Sequence, residues 1–354
     1  MNIIVRISHI IRKIRGLLLC GKFIGVCIFI LALLSISRFT GITEYWLVDL
    51  CSHFPVQYGI VSLVLLVICL WSKRFLLGIL AAILCMMNFS IFVDYRATSQ
   101  PPLSGENTFT VYLANVWRFN PVFTKLEQEI THVDADCVLL LEVTPEWREP
   151  LQPIIQHFPY HLGEVAKGPT GFLFLSRYPI IDHHVSSFAE HGKRPLLSAT
   201  LQIEQKRVTF YGVHPHAPVL RRKFHNRNRQ LLWLADRIAG SPDPVIVAGD
   251  FNTTPFSPVF QEVLARSGLK DPRVEAGWQP SWPTYMPLFW LPIDHILVSS
   301  EIQVYRVSTG KFIWSDHYPI IAELSIKEDT LGKNEKNLSQ KNQNRHLYII
   351  EAGL

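Results

Sequence analysis

Three apolar runs near the N-terminus leave this sequence few ways to fold. The first, "FIGVCIFILALLSIS", follows a cluster of basic residues (Arg6, Arg12, Lys13, Arg15, Lys22) and is expected to form a helix over 20–38. The second runs from Phe54 to Trp71 and the third from Phe75 to Val93, with only Ser72, Lys73 and Arg74 between them. Each is close to the ~20 apolar residues that cross a bilayer, whereas two core helices of a soluble domain rarely follow each other with so short a polar break. A signal peptide is the alternative for the first run, but it lacks a small-residue cleavage pattern and two more runs follow, which favours retained anchors. The basic residues orient the array: the N-terminal cluster and Lys73-Arg74 face the cytoplasm, and the first loop, with Glu44 and Asp49 against Arg38, faces outward. Three crossings place everything after Tyr95 outside a cytoplasmic membrane, in a multi-pass protein. If the first run does not span, the rest faces the cytoplasm instead.

Composition supports two unlike parts. Of the 354 residues 48% are hydrophobic, high for a soluble chain, and the formal charge of +5 comes largely from the N-terminal cluster and a polar tail. That excess is too mild to be the footprint of a nucleic-acid binder. Five of the six cysteines lie in or beside the apolar region and only Cys137 lies later, in neither a disulfide nor a CxxC metal pattern. The chain therefore divides into an anchor over 1–95, a Pro- and Ser-containing linker over 96–107, a domain over 108–327 and a polar, aperiodic tail over 328–354 that is expected to be disordered.

Within the domain, short apolar runs such as "FTVYLANV", "CVLLLEV", "RVTFYGVH" and "PVIVAGDFN" alternate with two segments of helical spacing, "NPVFTKLEQEITHVD" and "RRKFHNRNRQLLWLADRIAG". Many strands and few helices imply two packed sheets flanked by helices. Polar residues recur at the ends of these runs: Asn115, Glu142, His214, Asp250 with Asn252, Asp294, and Asp316-His317. Singly, each is a common turn former, cap or solvated side chain. Jointly, burial of so many unpaired groups would cost several kcal/mol each, so they are expected to converge on one rim, with oxygen donors suited to Mg²⁺ and groups suited to proton transfer. Asp250 and Asn252, two apart on an extended chain, should face the same side, with Phe251 turned into the core.

In their order along the chain, "LANVWRFN", "LLLEV", "GFLFLSRYPI", "GVHPHAPV", "AGDFNTTPFSP", "PIDHILVS" and "WSDHYPIIAEL" resemble the motifs of the endonuclease/exonuclease/phosphatase superfamily. The resemblance covers essentially all of 108–327. It implies a four-layer α/β sandwich, two mixed sheets face to face with outer helices, and metal-dependent hydrolysis of phosphate esters. It also implies that Asn115, Glu142 and Asp316 bind Mg²⁺, with Mn²⁺ as an alternative. Asp250 would orient or deprotonate the attacking water, Asn252 would donate to phosphoryl oxygens, and His214 would contact the scissile phosphate. His317 would act as acid, base or phosphate ligand, held in its tautomer by Asp294. Which of Asp250 and His317 takes the water proton stays open. The segment after His214 adds His216, Arg221, Arg222, Lys223, Arg227 and Arg229, either a solvated helix face or a cationic rim in which His216, Arg221 and Arg229 bind substrate. An aromatic, proline-rich loop, "WQPSWPTYMPLFW", precedes Asp294 and could grip a lipid tail at a membrane interface.

Anchor and site together most resemble the bacterial membrane-bound branch of the superfamily, with lipid-linked phosphates as partners. The expected function is a Mg²⁺-dependent phosphohydrolase acting on phosphodiester or pyrophosphate bonds, of lipids in the first instance. A membrane-tethered nuclease is the alternative, and an inactive scaffold a third reading that the joint presence of all these residues disfavours.

Overall fold

The computed structural model describes residues 20–95, 107–187 and 194–327, together with Gly16. The basic residues before Lys22, nearly all of the expected linker and the expected tail lie outside the described residues.

The N-terminal part is helical. Helix α1 (Gly21–Ile36) runs on through a 3₁₀ turn to Phe39, α2 (Trp46–Ser52) is short, and α3 (Pro55–Trp71) and α4 (Phe75–Phe89) form an antiparallel hairpin. Two helical stretches, Gly21–Phe39 and Phe75–Asp94, are long and apolar enough to cross a membrane. A third crossing requires α2 and α3 to count as one span bent by 67°. The helices pack through a seam of Ile24, Ile28, Leu31, Leu65, Cys69, Ala81 and Leu84, and Asn88 donates to Ser35 Oγ across it at 2.9 Å. Their outer faces expose Phe29, Leu33, Val64, Val67, Leu76 and Met86. Helices buried on one stripe and apolar on the other match a hydrocarbon surround.

The remainder forms two sheets. The first has the order β10-β11-β1-β2-β4-β3, from β1 (Phe109–Asn115), β2 (Cys137–Leu141), β3 (Tyr160–Glu164), β4 (Phe172–Ser176), β10 (Ile302–Thr309) and β11 (Ile320–Ile326). The second has the order β5-β6-β7-β8-β9, from β5 (Ile180–Ser187), β6 (Pro195–Ile203), β7 (Lys206–Val213), β8 (Val245–Asp250) and β9 (Asp294–Val298). Alternate residues of both sheets, among them Leu113, Leu139, Phe174, Phe210, Ile246 and Ile296, fill the space between them, with Phe174 stacked on Phe210. Helix α5 (Thr124–Val133) covers the outer face of the first sheet through Leu126 and Ile130. Helices α6 (Arg221–Ile238) and α7 (Pro258–Ser267) cover the second through Leu231, Leu234, Ile238, Phe260 and Val263. The result is the expected sandwich of two mixed sheets between helices. Arg177, in "LSRYP", pairs with Asp134 and Asp136 at the far end of β4 and is structural.

Topology gathers the strand-end residues. Strands β1 and β2 are parallel, as are β7 and β8, so Asn115, Glu142, His214 and Asp250 leave their strands at one edge. Strands β9 and β11 run antiparallel to β8 and β1, so the residues that open them arrive at that same edge: Asp294 pairs in register with Asp250, and Ile320, just after His317, with Leu113. Gly249 makes the approach possible, because a Cβ there would stand 1.9 Å from the Val213 carbonyl oxygen.

Candidate active site

His317 lies at the centre, buried between the two sheets. Its Nδ1 is 2.7 Å from Asp294 Oδ2, and its Nε2 lies 3.8 Å from Asp250 Oδ2 and 4.0 Å from Asp316 Oδ1. The loop is pinned by Ser315, whose hydroxyl donates to the Asn115 carbonyl at 2.6 Å and accepts from His317 N at 3.0 Å. Asp294 is fixed by the Ser281 hydroxyl, which accepts from the Asp294 and Ile293 amides. Asp316 accepts from Trp282 Nε1 at 3.3 Å.

Asp250 joins the two sheets. Its Oδ2 accepts from Asn115 Nδ2 at 3.2 Å and lies 3.5 Å from His214 Nε2, which is itself 3.9 Å from Glu142 Oε1. Asp250 Oδ1 accepts from the Asn252 amide at 2.9 Å. This last bond, from the Asn252 backbone N–H, corrects the expectation of an extended chain: Asn252 has φ +52°, so the backbone turns immediately after β8, and the Asn252 side chain instead donates from Nδ2 to the Pro215 carbonyl at 3.2 Å. Asparagine tolerates the left-handed region better than most residues, which explains its place there. Phe251 packs against Phe260 and His295, in the core as expected.

The electrostatics divide the charges. Burial alone would lower His317, but the Asp294 carboxylate, its hydrogen bond, and Asp250 and Asp316 outweigh it and raise the imidazole to about 10. Burial alone would raise Asp250; the His214 hydrogen bond and the charge of both imidazoles hold it down at about 2. Burial pushes Asp316 upward. At neutral pH the site thus carries a protonated His317 beside an ionised Asp250.

Two donor sets could hold a cation. Asp250, Asp294 and His317 bring ligand atoms within 4.8 Å of one another, but there a cation would compete with the short His317–Asp294 bond. Glu142 is partly open and Asp316 Oδ1 is buried without a hydrogen-bond partner, so these two carboxylates with the Asn115 amide oxygen offer the hard donors that Mg²⁺ takes while keeping waters.

Of the expected substrate contacts, His216 joins the site through Arg194, whose Nε donates to His216 Nδ1 at 3.4 Å. Arg221 and Arg229 are exposed on α6. Arg227, expected on a solvated or cationic rim, is instead fully buried beneath the Asn252 turn. Arg194 was not singled out by the sequence. It is buried and acted on by the charges of Glu142 and Asp250, and its position at the mouth of β6, antiparallel to β7, was the signal available.

A model of the Endonuclease/Exonuclease/phosphatase family matches residues 113–317, more than half of the chain. The chain belongs to this family. It is a family of phosphoester hydrolases that depend on divalent metals. Among solved structures, D. rerio TDP2 complexed with a single-strand DNA product is similar at 17% identity and a TM-score of 0.55, over 62% of this chain and 100% of that one. An endonuclease/exonuclease/phosphatase from Bacteroides vulgatus is similar at 17% identity and 0.54, over 63% and 100%. Truncated Caenorhabditis elegans TDP2 is similar at 19% identity and 0.51, over 61% and 97%. At these identities the likeness is one of fold. No curated protein matches the sequence significantly.

Proposed function

We propose that this family member is a membrane-anchored phosphohydrolase that uses Mg²⁺, or Mn²⁺, to cleave phosphodiester or pyrophosphate bonds of a lipid-linked substrate. The observation that carries the reading is the convergence of Asn115, Glu142, His214, Asp250, Asp294, Asp316 and His317 on one rim. Asn115, Glu142 and Asp316 would hold the cation, which when bound supplies charge stabilisation to phosphoryl oxygens. The chain's own groups do the rest. Asp250, ionised beside the site, accepts a proton from water as its oxygen bonds to phosphorus. The ester oxygen leaves with the bonding pair, and protonated His317, oriented by Asp294, donates to the phosphoryl or leaving oxygen. The Asn252 amide and His214 hold the equatorial oxygens, adding stabilisation where charge develops. Arg194 and His216, with Arg221 and Arg229 farther out, attract the anion.

The lipid assignment draws on the apolar side of the mouth. Trp117, Phe119, Tyr285, Phe312 and Trp314 form a chain of ring contacts beside Asn115 and Asp316, and most of them are exposed. The neighbouring Leu288 and Phe289 are exposed too, and Gln57, at the start of α3, donates to the Leu288 carbonyl at 3.1 Å. Aromatic residues beside an apolar helix end suit a membrane interface. Purified full-length protein in detergent with Mg²⁺ should hydrolyse a polyprenyl pyrophosphate or a phospholipid; cleavage of soluble phosphodiesters with no lipid turnover would remove the lipid assignment. The extracytoplasmic placement is tested by reporter fusions after Val93, which would reverse it by reporting cytoplasm.

A tethered nuclease is the second reading, favoured by the fold shared with TDP2 bound to a DNA product. It requires DNA cleavage that weakens steeply with salt, as phosphate contacts release counterions.

A further inference from the structure

The turn that carries Asn252 is held from beneath by residues of the N-terminal segment, Asp49 and His53, which precede that turn by about 200 positions. Asp49, on α2 between the first two apolar helices, is buried; its Oδ2 accepts from Arg227 Nη2 at 2.7 Å and its Oδ1 from the Ser257 hydroxyl at 2.5 Å. The other arm of the same guanidinium, Nη1, donates to the Asn252 carbonyl at 2.8 Å. His53 adds a second buried link, with Nε2 3.3 Å from Asp49 and Nδ1 2.9 Å from Thr254 Oγ1. The domain's own contacts to this turn include Asp250 Oδ1, which accepts from the Asn252 backbone amide at 2.9 Å, the Pro215 carbonyl, which accepts from Asn252 Nδ2 at 3.2 Å, and His295 Nε2, which donates to the Thr253 carbonyl at 2.8 Å.

A guanidinium is a planar fork, so fixing one arm fixes the other. The Asn252 backbone sits in the left-handed region, one that a chain leaves readily unless its surroundings hold it. We propose that Asp49 is a positioning residue of the active site: through Arg227 it sets the Asn252 carbonyl and so aims the Asn252 amide at the substrate phosphate. The N-terminal segment then completes the site as well as tethering it. This inference rests on Asn252 being a phosphate contact.

The test uses the full chain in detergent, with bis(p-nitrophenyl) phosphate as a soluble substrate and Mg²⁺ present. Asp49→Asn should lower kcat about tenfold or more with KM within about twofold, the pattern of an interaction made in the transition state. Arg227→Lys keeps the buried charge pair but cannot serve both acceptors in the fork's geometry, so it should melt closer to wild type than Arg227→Ala does and lose kcat likewise. Trp46→Phe, which removes another link between the segments, a donation to the Pro218 carbonyl at 2.7 Å, should keep wild-type kcat. In an Asn252→Ala background, Asp49→Asn should cost less than about twofold, because both act through one group. Wild-type kcat in both Asp49→Asn and Arg227→Lys, or a full additional loss in the Asn252→Ala background, would overturn the proposal. Amide exchange separates its failure from that of the functional reading: Asp49→Asn should speed exchange over 251–257 by more than it speeds exchange of β9, whether or not the substrate is cleaved. Unaltered exchange there would overturn the positioning role, whereas a wild-type protein that cleaves no phosphoester would overturn the function.

Discussion

Replacing Asp294 with asparagine separates the charge of the His317–Asp294 pair from its shape. An asparagine oxygen can still accept from Nδ1 at the observed 2.7 Å, so the ring should stay in place while the nearest of its three anions is lost. His317 is raised from its ordinary 6.5 to about 10. Its folded value lies above its unfolded one, so the stability this proton contributes is complete below about pH 6.5 and is lost as pH rises through about 10. The full effect has a ceiling of about 5 kcal/mol, shared among Asp294, Asp250 and Asp316. If Asp294 supplies about 2 kcal/mol of it, the variant's imidazole should titrate about 1.5 units lower. The assay is a histidine-selective NMR titration of protein stripped of divalent cations, with His317 assigned by substitution, alongside thermal melts across the same pH range. The variant should be destabilised most below pH 6.5 and converge on the parent toward pH 10. Hydrolysis should fall on the order of 10²- to 10⁴-fold, as expected when a general acid loses its partner. An imidazole that still titrates near 10, or activity within about twofold of the parent, would refute the reasoning.

Further expectations follow from single contacts. Gly249→Ala drives a Cβ into the Val213 carbonyl and should cost about 3 kcal/mol or more by chemical denaturation, with activity lost as β8 shifts. Burial alone would raise Asp49, but Arg227, His53 and Ser257 hold it well below its ordinary 3.8, so its stabilisation is present above about pH 4 and fades as pH falls through the depressed folded value. Melts should therefore show Asp49→Asn destabilised by about 3–5 kcal/mol at neutral pH, with the gap narrowing in strong acid. Arg194→Ala removes a buried cation whose charge acts on both Glu142 and Asp250, and steady-state kinetics should show about a tenfold or larger loss in kcat/KM.

The sandwich was legible because its central strands, β1, β2, β7, β8 and β9, are buried on both faces and read as apolar runs, with polar residues chiefly where they reach the rim. The rim positions of Asn115, Glu142, His214, Asp250, Asp294 and His317 could be located for the same reason: a polar side chain at the end of a buried run has nowhere else to go. What escaped the sequence was set by contacts between distant segments. Nothing local marks Arg227 as buried, since its helix carries five other basic residues at similar spacing and only the arrival of Asp49 selects it. Arg194 precedes a strand without a motif of its own. The turn at Asn252 was misread because periodicity carries an extended chain forward until a side chain, here Asp250, captures the next amide. The second apolar run forms one helix over 55–71, but the short α2 before it, which bends away by 67° to dock on the catalytic domain, had no sequence signal of its own.

The central claim is that this rim hydrolyses phosphoesters with the help of a divalent cation held by Asn115, Glu142 and Asp316. The most direct measurement is hydrolysis of a phosphodiester by the full-length protein as Mg²⁺ is titrated after EDTA treatment, with Glu142→Gln and His317→Ala in parallel. The account predicts no turnover in EDTA, saturable recovery with Mg²⁺, recovery only at higher Mg²⁺ for Glu142→Gln, and none for His317→Ala at any concentration. Turnover that persists in EDTA, or that His317→Ala leaves unchanged, would contradict it.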